Sequence, residues 1–345
     1  MKLDRKFEMF VFLYITEKCQ LRCGHCYMGK RLERGLEMSM EKIEEILKYL
    51  SITFGHNRIL ILGGEPFLHN DLLGVIKICK KLGYSVAIST NGISCDLIND
   101  DYFIHNVDML SFSIDGYDKE HHQIFRCANV FPKLIDSVKQ SVKNNLQTRF
   151  SCTVNYDNCD TAAKIIDLAA DLGVKWVCFH YFSPIGKGKS INEKALTPKE
   201  WIDFCEDLKK HKRSDVLIEF APTFCYKNDL DEYVNRGYQG CTARFLERVA
   251  VFPDGKIYLC SLFLDTEVNF FNFENNGISV NKNAKNELDI ALHLPATCQN
   301  CDKATQCRGG CLAYSVLQEQ FTKVIRSEDC TSSIIPLCPL WSTKI

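Results

Sequence analysis

Thr16-Glu17-Lys18-Cys19-Gln20-Leu21-Arg22-Cys23-Gly24-His25-Cys26-Tyr27 follows directly on an apolar run, Phe10–Ile15, with the composition of a strand. Cys19, Cys23 and Cys26 stand at CxxxCxxC spacing. A 4Fe–4S cube has four corner irons and takes soft thiolates as its usual ligands. Three cysteines in one tight loop hold three corners and leave the fourth iron open. An open iron binds a substrate or cofactor, whereas a fully ligated cluster mainly carries electrons. The alternative is a zinc loop, but zinc pairs are usually C-x2-4-C with a second pair or histidines nearby. His25 lies between two of the cysteines, where its ring is expected to point elsewhere.

With 345 residues, 46% of them hydrophobic and 25% charged, the chain is long enough for one large domain and a smaller one. A formal net charge of −1 implies no global attraction to nucleic acid or to a membrane surface. No apolar run approaches the roughly 18–20 residues of a spanning helix, and Met1–Lys6 lacks the pattern of an export signal. Without such a signal, nineteen cysteines read as metal ligands rather than disulfides, and a cytoplasmic location is expected.

From Phe10 to about Gly186, apolar runs alternate with amphipathic stretches, which predicts βα units and a parallel sheet. The runs are Phe10–Ile15, Arg58–Leu62, Ser85–Thr90, Met109–Ile114, Arg149–Val154 and Trp176–Phe182, with helical periodicity in Met40–Leu50, Leu72–Leu82, Phe131–Asn144 and Thr161–Leu172. Ser39, Gly83 and Gly173 fit helix-end signals. Six such units make an α/β fold of the TIM type, a partial (β/α)6 barrel, in which chemistry collects at the carboxyl ends of the strands. The expected division is a barrel core over 1–190, a connecting helical region over 191–239 with a helix from Thr197-Pro198, and a small Cys-rich domain over 240–345.

With the aromatic Tyr27 beside its last cysteine, the loop resembles the signature of the radical S-adenosylmethionine (SAM) superfamily. The resemblance implies that Cys19, Cys23 and Cys26 are catalytic through a SAM-binding 4Fe–4S cluster whose open iron is chelated by the amino and carboxylate groups of SAM. Reductive cleavage then yields a 5′-deoxyadenosyl radical that takes a hydrogen atom from substrate, with the cofactors carrying the difficult chemistry. It also implies SAM contacts at Tyr27 and at the strand ends. Gly63-Gly64-Glu65-Pro66 matches the motif that holds the SAM amino group. Asn91, Ser113 and Asp115 place amide, hydroxyl and carboxylate groups for the ribose, although Asn91-Gly92 and Asp115-Gly116 are also ordinary turn pairs. Arg126 suits the SAM carboxylate, and Asn155 is within expected reach of the cofactor. His121 and His122 are expected at the surface or behind the site, and Gly186–Gly188 as a turn leaving the barrel. Cys79, Cys152 and Cys178 read as small buried hydrophobes, while Cys95, Cys127, Cys159 and Cys205 show no spacing that suggests a site.

A second cysteine system follows. Thirteen residues separate Cys241 from Gly255 and four more separate Gly255 from Cys260; then come Cys298-x2-Cys301-x5-Cys307-x3-Cys311, Cys330 and Cys338. The arrangement resembles the SPASM extension of many radical SAM enzymes, which binds two auxiliary 4Fe–4S clusters. By that resemblance Cys241, Cys260 and Cys311 hold one cluster, and Cys298, Cys301 and Cys307 with a late cysteine hold the other. Cys330 and Cys338 both remain candidates for the late ligand, and Cys225 is a further candidate for the fourth site of the first cluster, which is otherwise open to substrate. Val251–Cys260 reads as a hairpin turning at Asp254-Gly255. Zinc ribbons are the alternative for this set.

SPASM enzymes most often act on peptides or proteins, so the resemblance implies ribosomal peptide maturation by crosslinking, oxidation or related C–H functionalisation. An electron donor such as flavodoxin or ferredoxin is implied. The alternatives are a small-molecule enzyme (haem-precursor decarboxylase or sugar-alcohol dehydrogenase), a sulfatase-maturating enzyme, and a non-catalytic Fe–S carrier. Ser261 stands where sulfatase-maturating members have a basic aspartate, and a carrier needs no SAM pocket. Eighteen residues precede Cys19, so a leader peptide is expected to dock on a separate recognition protein or directly on the barrel and SPASM surfaces. Replacing Cys19, Cys23 and Cys26 together with Ala is expected to abolish 5′-deoxyadenosine formation while most of the C-terminal iron stays bound. Continued SAM cleavage by the triple variant would show that the loop is not the site.

Overall fold

In a computed structural model the six apolar runs are six parallel strands. These are β1 (Phe10–Thr16), β2 (Arg58–Gly63), β3 (Ser85–Thr90), β4 (Met109–Ser113), β5 (Thr148–Val154) and β6 (Trp176–Tyr181), each paired to the next. The structure describes residues 9–55, 58–126, 129–211, 213–221, 223–244, 247–264, 266, 269, 271–274, 277–281, 298–316, 334–337 and 343–344. Parallel neighbours need a crossover, usually a helix. The crossovers here carry helices Met40–Phe54, Leu72–Lys81, Asp101–Asn106, Phe131–Lys143 and Ala162–Asp171. The first runs one turn past the predicted Leu50 and stops at Gly55, whose φ of 77° is left-handed. Its start is capped as expected, with Ser39 accepting from the Lys42 amide. A short further helix, Lys119–Arg126, follows β4 and buries His122 and Phe125.

The sheet is wider than six strands. A seventh, β7 (Leu217–Phe220), continues it in parallel beside β6, after the helix Pro198–Lys210. That helix begins in a capping box formed by Thr197 and Glu200, with Pro198 in its first turn. At the other edge β9 (Arg248–Val251) lies parallel to β1. Beyond it run the antiparallel strands β10 (Lys256–Tyr258), β11 (Phe271–Glu274) and β12 (Gly277–Val280), and a short β14 (Thr343–Lys344) edges β7. The small strands β8 (Phe224–Tyr226) and β13 (Ile334–Pro336) pair separately. The sheet therefore crosses both boundaries drawn at 190 and 239. The predicted hairpin is β9–β10, turning through Gly255 at φ 87°.

Side-chain alternation separates the two faces of the sheet. In β5, Phe150, Cys152 and Val154 are fully buried under the helices, whereas Arg149, Ser151 and Thr153 alternate with them and are only half-buried. The outer face carries the main core, joined by Ile43, Ile46, Val75, Leu134, Val138, Ile165 and Ile166 from the helices. Cys79, Cys152 and Cys178 are buried as expected, and so are Cys95 and Cys205; Cys127 lies outside the described residues. Trp201 closes the β6–β7 crossover, edge-on to Tyr181 with centroids 5.3 Å apart, and its indole donates to the Ala221 carbonyl at 3.1 Å. Among the described residues, no helix is long and apolar enough to cross a membrane.

Candidate active site

The cysteine loop leaves the carboxyl end of β1 and is held by backbone contacts from several elements. Cys26 N donates to Cys23 O, Gly24 N to the Phe125 carbonyl and Lys187 N to the Cys26 carbonyl. The last contact comes from the stretch after β6, where a Cβ on Gly186 would stand 2.1 Å from Tyr27 O. The glycine-lysine segment thus clasps the loop rather than simply leaving the barrel. Cys23 is buried, and Cys19 and Cys26 are partly so. Burial, with Glu65 and the neighbouring cysteines adding to it, pushes the Cys19 thiol up to about 12. Thiolates at such a place need a cationic partner, which iron supplies. Among the described residues no three His, Cys, Asp or Glu side chains converge as the ligands of a single ion would. A cube sets a different demand, since each thiolate holds its own iron. Three thiols on one loop at the end of β1 are the soft donor set that such a cluster takes.

The second strand ends against this loop. Gly64 N donates to Thr16 O and Glu65 N to Lys18 O, both at 2.8 Å. A Cβ on Gly64 would stand 2.4 Å from Lys18 O and 2.8 Å from the Cys19 Cβ, so the paired glycines admit the chain's own cysteine loop. The Glu65 carboxylate then ties β2 to β3, accepting from Asn91 N at 2.8 Å and from the Thr90 hydroxyl at 2.7 Å. Burial pushes this carboxyl up to about 7, against the pull of those hydrogen bonds. Asn91 reaches back to the loop, its amide nitrogen 3.9 Å from Cys19 Sγ and its side chain paired with Gln20.

Asp115 and Arg126, both expected to face the cofactor, meet each other: Arg126 Nε donates to Asp115 Oδ2 at 2.5 Å. Asp115 Oδ1 accepts from Thr153 N at 2.8 Å, and His25 Nε2 stands 3.6 Å from Oδ2. Burial works to raise this carboxyl, but Arg126, then His25 and His122, outweigh it and hold it below the usual range. Its oxygens are largely spent inside the protein, so the carboxylate orders the β4 and β5 ends and steadies His25. The His25 ring does point away from the thiols, towards Asp115 and Phe125, and burial lowers it to about 4. His122 is buried behind Asp115, and His121 caps outward onto Asp118. Two buried polar atoms at this end, His25 Nδ1 and the Asn155 amide nitrogen, have no hydrogen-bond partner among the described residues. Asn155 stands at the end of β5, where a bound cofactor would supply the missing acceptor. Ser113, half-buried, closes β4. Sequence reasoning missed Thr90 and Asn158; the latter's amide donates to the Asp115 and Thr153 carbonyls. An Asn three residues past a strand-end Asn gives no motif to find.

The hairpin β9–β10 brings the second cysteine system to the first. The ring of Tyr14 on β1 stacks on Phe252 at 4.1 Å, and its hydroxyl donates to Ser261 Oγ, next to Cys260, at 2.9 Å. The turn residue Asp254 accepts from Arg31 at 2.9 Å, and both Arg31 and Arg34 also pair with the fully buried Glu17. Cys241, Cys260 and Cys311 are buried, as is Cys307, while Cys298 and Cys301 are half-buried. Arg308, Gly309 and Gly310 have positive φ, turning the chain between Cys307 and Cys311, and Cys311 N donates to Pro336 O. Cys225 on β8 is buried, and after burial itself the neighbour that most raises its thiol is Cys307, which places it by the Cys298–Cys307 set. Cys330 and Cys338 lie outside the described residues.

The span from Leu13 to Tyr156, β1 through the end of β5, matches the Radical SAM superfamily. The matched span holds the cysteine loop and the ends of β1 to β5, the part of the chain that carries the candidate site. The relatives of the chain divide by kind. The probable GTP 3′,8-cyclase of Saccharolobus solfataricus is 25% identical over 256 residues, 71% of this chain and 80% of that protein. That of Sulfurisphaera tokodaii is 23% identical over 291 residues, 81% and 91% of the two chains. Among solved structures, Streptococcus suis SuiB bound to precursor peptide SuiA has a TM-score of 0.70 at 15% identity, covering 90% of this chain and 73% of that one. Native anSMEcpe with bound AdoMet and Cp18Cys peptide has 0.66 at 18%, covering 93% and 98%. At these identities the likeness is one of fold.

Two outcomes follow from this geometry. Gly64→Val is expected to push the loop at Cys19 aside and lose about four irons per chain; unchanged iron would show that the loop tolerates the side chain. Glu65 titrates near 7 when folded and near 4.5 when free. The folded state therefore holds the extra proton between those values, and stability falls as pH rises through that window. The stability difference between the wild-type protein and Glu65→Gln, measured by denaturant unfolding, should fall from pH 4.5 to 7 and level off above. A pH-independent difference would mean that Glu65 is already ionised.

Proposed function

We propose that this enzyme cleaves SAM reductively at the Cys19–Cys26 loop and modifies a peptide substrate, with two auxiliary clusters in the 240–345 region. Bound there, the cluster and SAM supply a 5′-deoxyadenosyl radical able to take a hydrogen atom from an unactivated carbon. In this reading Cys19, Cys23 and Cys26 hold the cluster. Gly63, Gly64 and Glu65 shape the wall for the SAM amino group, and Asn91, Ser113 and Asn155 face its nucleoside. Arg126, anchored through Nε by Asp115, keeps its terminal nitrogens for the SAM carboxylate. Tyr27 packs beside the last cysteine. Cys241, Cys260 and Cys311 hold one auxiliary cluster, and Cys298, Cys301 and Cys307 the other. Cys330, Cys338 and Cys225 are the candidates to complete the sets.

The observation that carries the reading is the second cysteine system, joined to the first through the Tyr14–Ser261 hydrogen bond and the Asp254–Arg31 ion pair. The fold likeness to SuiB and anSMEcpe, whose structures hold peptides, supports a peptide substrate. A second reading, a small nucleotide substrate, is favoured by the sequence likeness to probable GTP 3′,8-cyclases. Ser261 in place of an aspartate speaks against sulfatase maturation.

Anaerobic reconstitution should give about twelve irons per chain, four for each of three clusters, and 5′-deoxyadenosine under dithionite. Turnover of GTP in place of peptide would establish the nucleotide reading. Cys307→Ala is expected to keep SAM cleavage in the absence of substrate, lose about four irons and stop product formation. Unchanged product would remove that cluster from the mechanism.

A further inference from the structure

Below the strand ends, the inner face of the partial barrel carries an arginine that the chemistry so far leaves unused. Arg149 on β5 is in register with Ser111 on β4 and with Trp176 on β6. Its Nε donates to Ser111 Oγ at 3.2 Å, and its guanidinium carbon lies 5.4 Å from the centre of the Trp176 ring. Glu219 on β7 is its ionic neighbour, but NH1 to Oε2 is 3.8 Å, too long for a hydrogen bond, and the same oxygen accepts from the Trp176 indole at 3.0 Å. The side chain is 16% exposed. The guanidinium is thus stacked, fixed at one edge and largely desolvated. Its terminal N–H groups have no hydrogen-bonded acceptor among the described residues, and Arg149 shares the inner face with Ser151 and Thr153.

A planar guanidinium of this kind matches a carboxylate with two parallel hydrogen bonds. His180 lies further along β6 on the same face. Burial, then the charge of Arg149, lowers its ring to about 4, so it is neutral and offers one further N–H. We propose that Arg149, backed by Trp176 and Ser111 and with His180 beside it, is a subsite for a carboxylate of the substrate, an Asp or Glu side chain of the peptide. The inference rests on the peptide reading above. In it Glu219 competes with the ligand: it holds the guanidinium in place and yields when a better-aligned carboxylate arrives.

The test uses the full chain with its clusters oxidised and its tryptophans 15N-labelled, the Trp176 indole signal being assigned by its loss in Trp176→Phe. N-acetyl-Gly-Glu-Gly amide should shift that signal saturably, and the Gln counterpart should bind roughly tenfold more weakly. Arg149→Gln should erase the preference, whereas Glu219→Gln should tighten the Glu peptide several-fold. An ion pair that is merely structural predicts the reverse for Glu219→Gln. Equal binding of the Glu and Gln peptides, or weaker binding in Glu219→Gln, would overturn the subsite. Arg149-dependent binding of GTP in preference to the Glu peptide would instead overturn the peptide reading. SAM cleavage, followed separately, reports on neither.

Discussion

β1 is hydrogen-bonded on both sides, with Phe10 opposite Arg58 of β2 and opposite Arg248 of β9. Its last residue, Thr16, runs straight into the cysteine loop. The register of this one strand therefore fixes three things together: the loop, the Gly63–Glu65 turn that closes against it, and the hairpin that presents Cys260. A one-residue slip of β1 would turn Tyr14 to the helix side of the sheet and carry its hydroxyl away from Ser261. The Glu65 carboxylate extends the same order to β3, and Asp115 extends it to β5, so the strand ends form one connected rim.

Much of this was legible in the sequence because the signals are local. The six strands and the main helices follow from periodicity, and the cysteine spacings are specific. What could not be read depends on contacts between distant residues. β7 is four residues long and carries Glu219, so its pattern is weak, and nothing local says that β9 lies beside β1. Gly64 and Gly186 look like ligand or turn glycines until the fold shows the cysteine loop pressed against both. Asp115 and Arg126 read as two cofactor contacts; the helix Lys119–Arg126 packs back on the end of β4 and makes them a pair. Arg149 was invisible as a site because a charged residue at the start of a strand is unremarkable until its neighbours are known.

The inner and outer faces of the sheet divide the labour of the chain. The outer face is closed by helices and holds the apolar core, including cysteines that behave as hydrophobes. The inner face is polar along β4 to β7 and aromatic along β1. Hydroxyls, an imidazole and a guanidinium stand along β4 to β6, while the Tyr14–Phe252 stack at β1 is buried against the hairpin.

Asp254 and Arg31 are 223 positions apart in the chain, and β9 pairs with β1 across a similar span. The hairpin consequently has no edge to join until the N-terminal strand and its loop are already in place. Closing so long a loop is slow compared with building successive βα units. As the chain leaves the ribosome, the half-barrel can therefore form while the later cysteines are still being made. The edge strand beside β1 is thus the last of these contacts that the order of synthesis makes available.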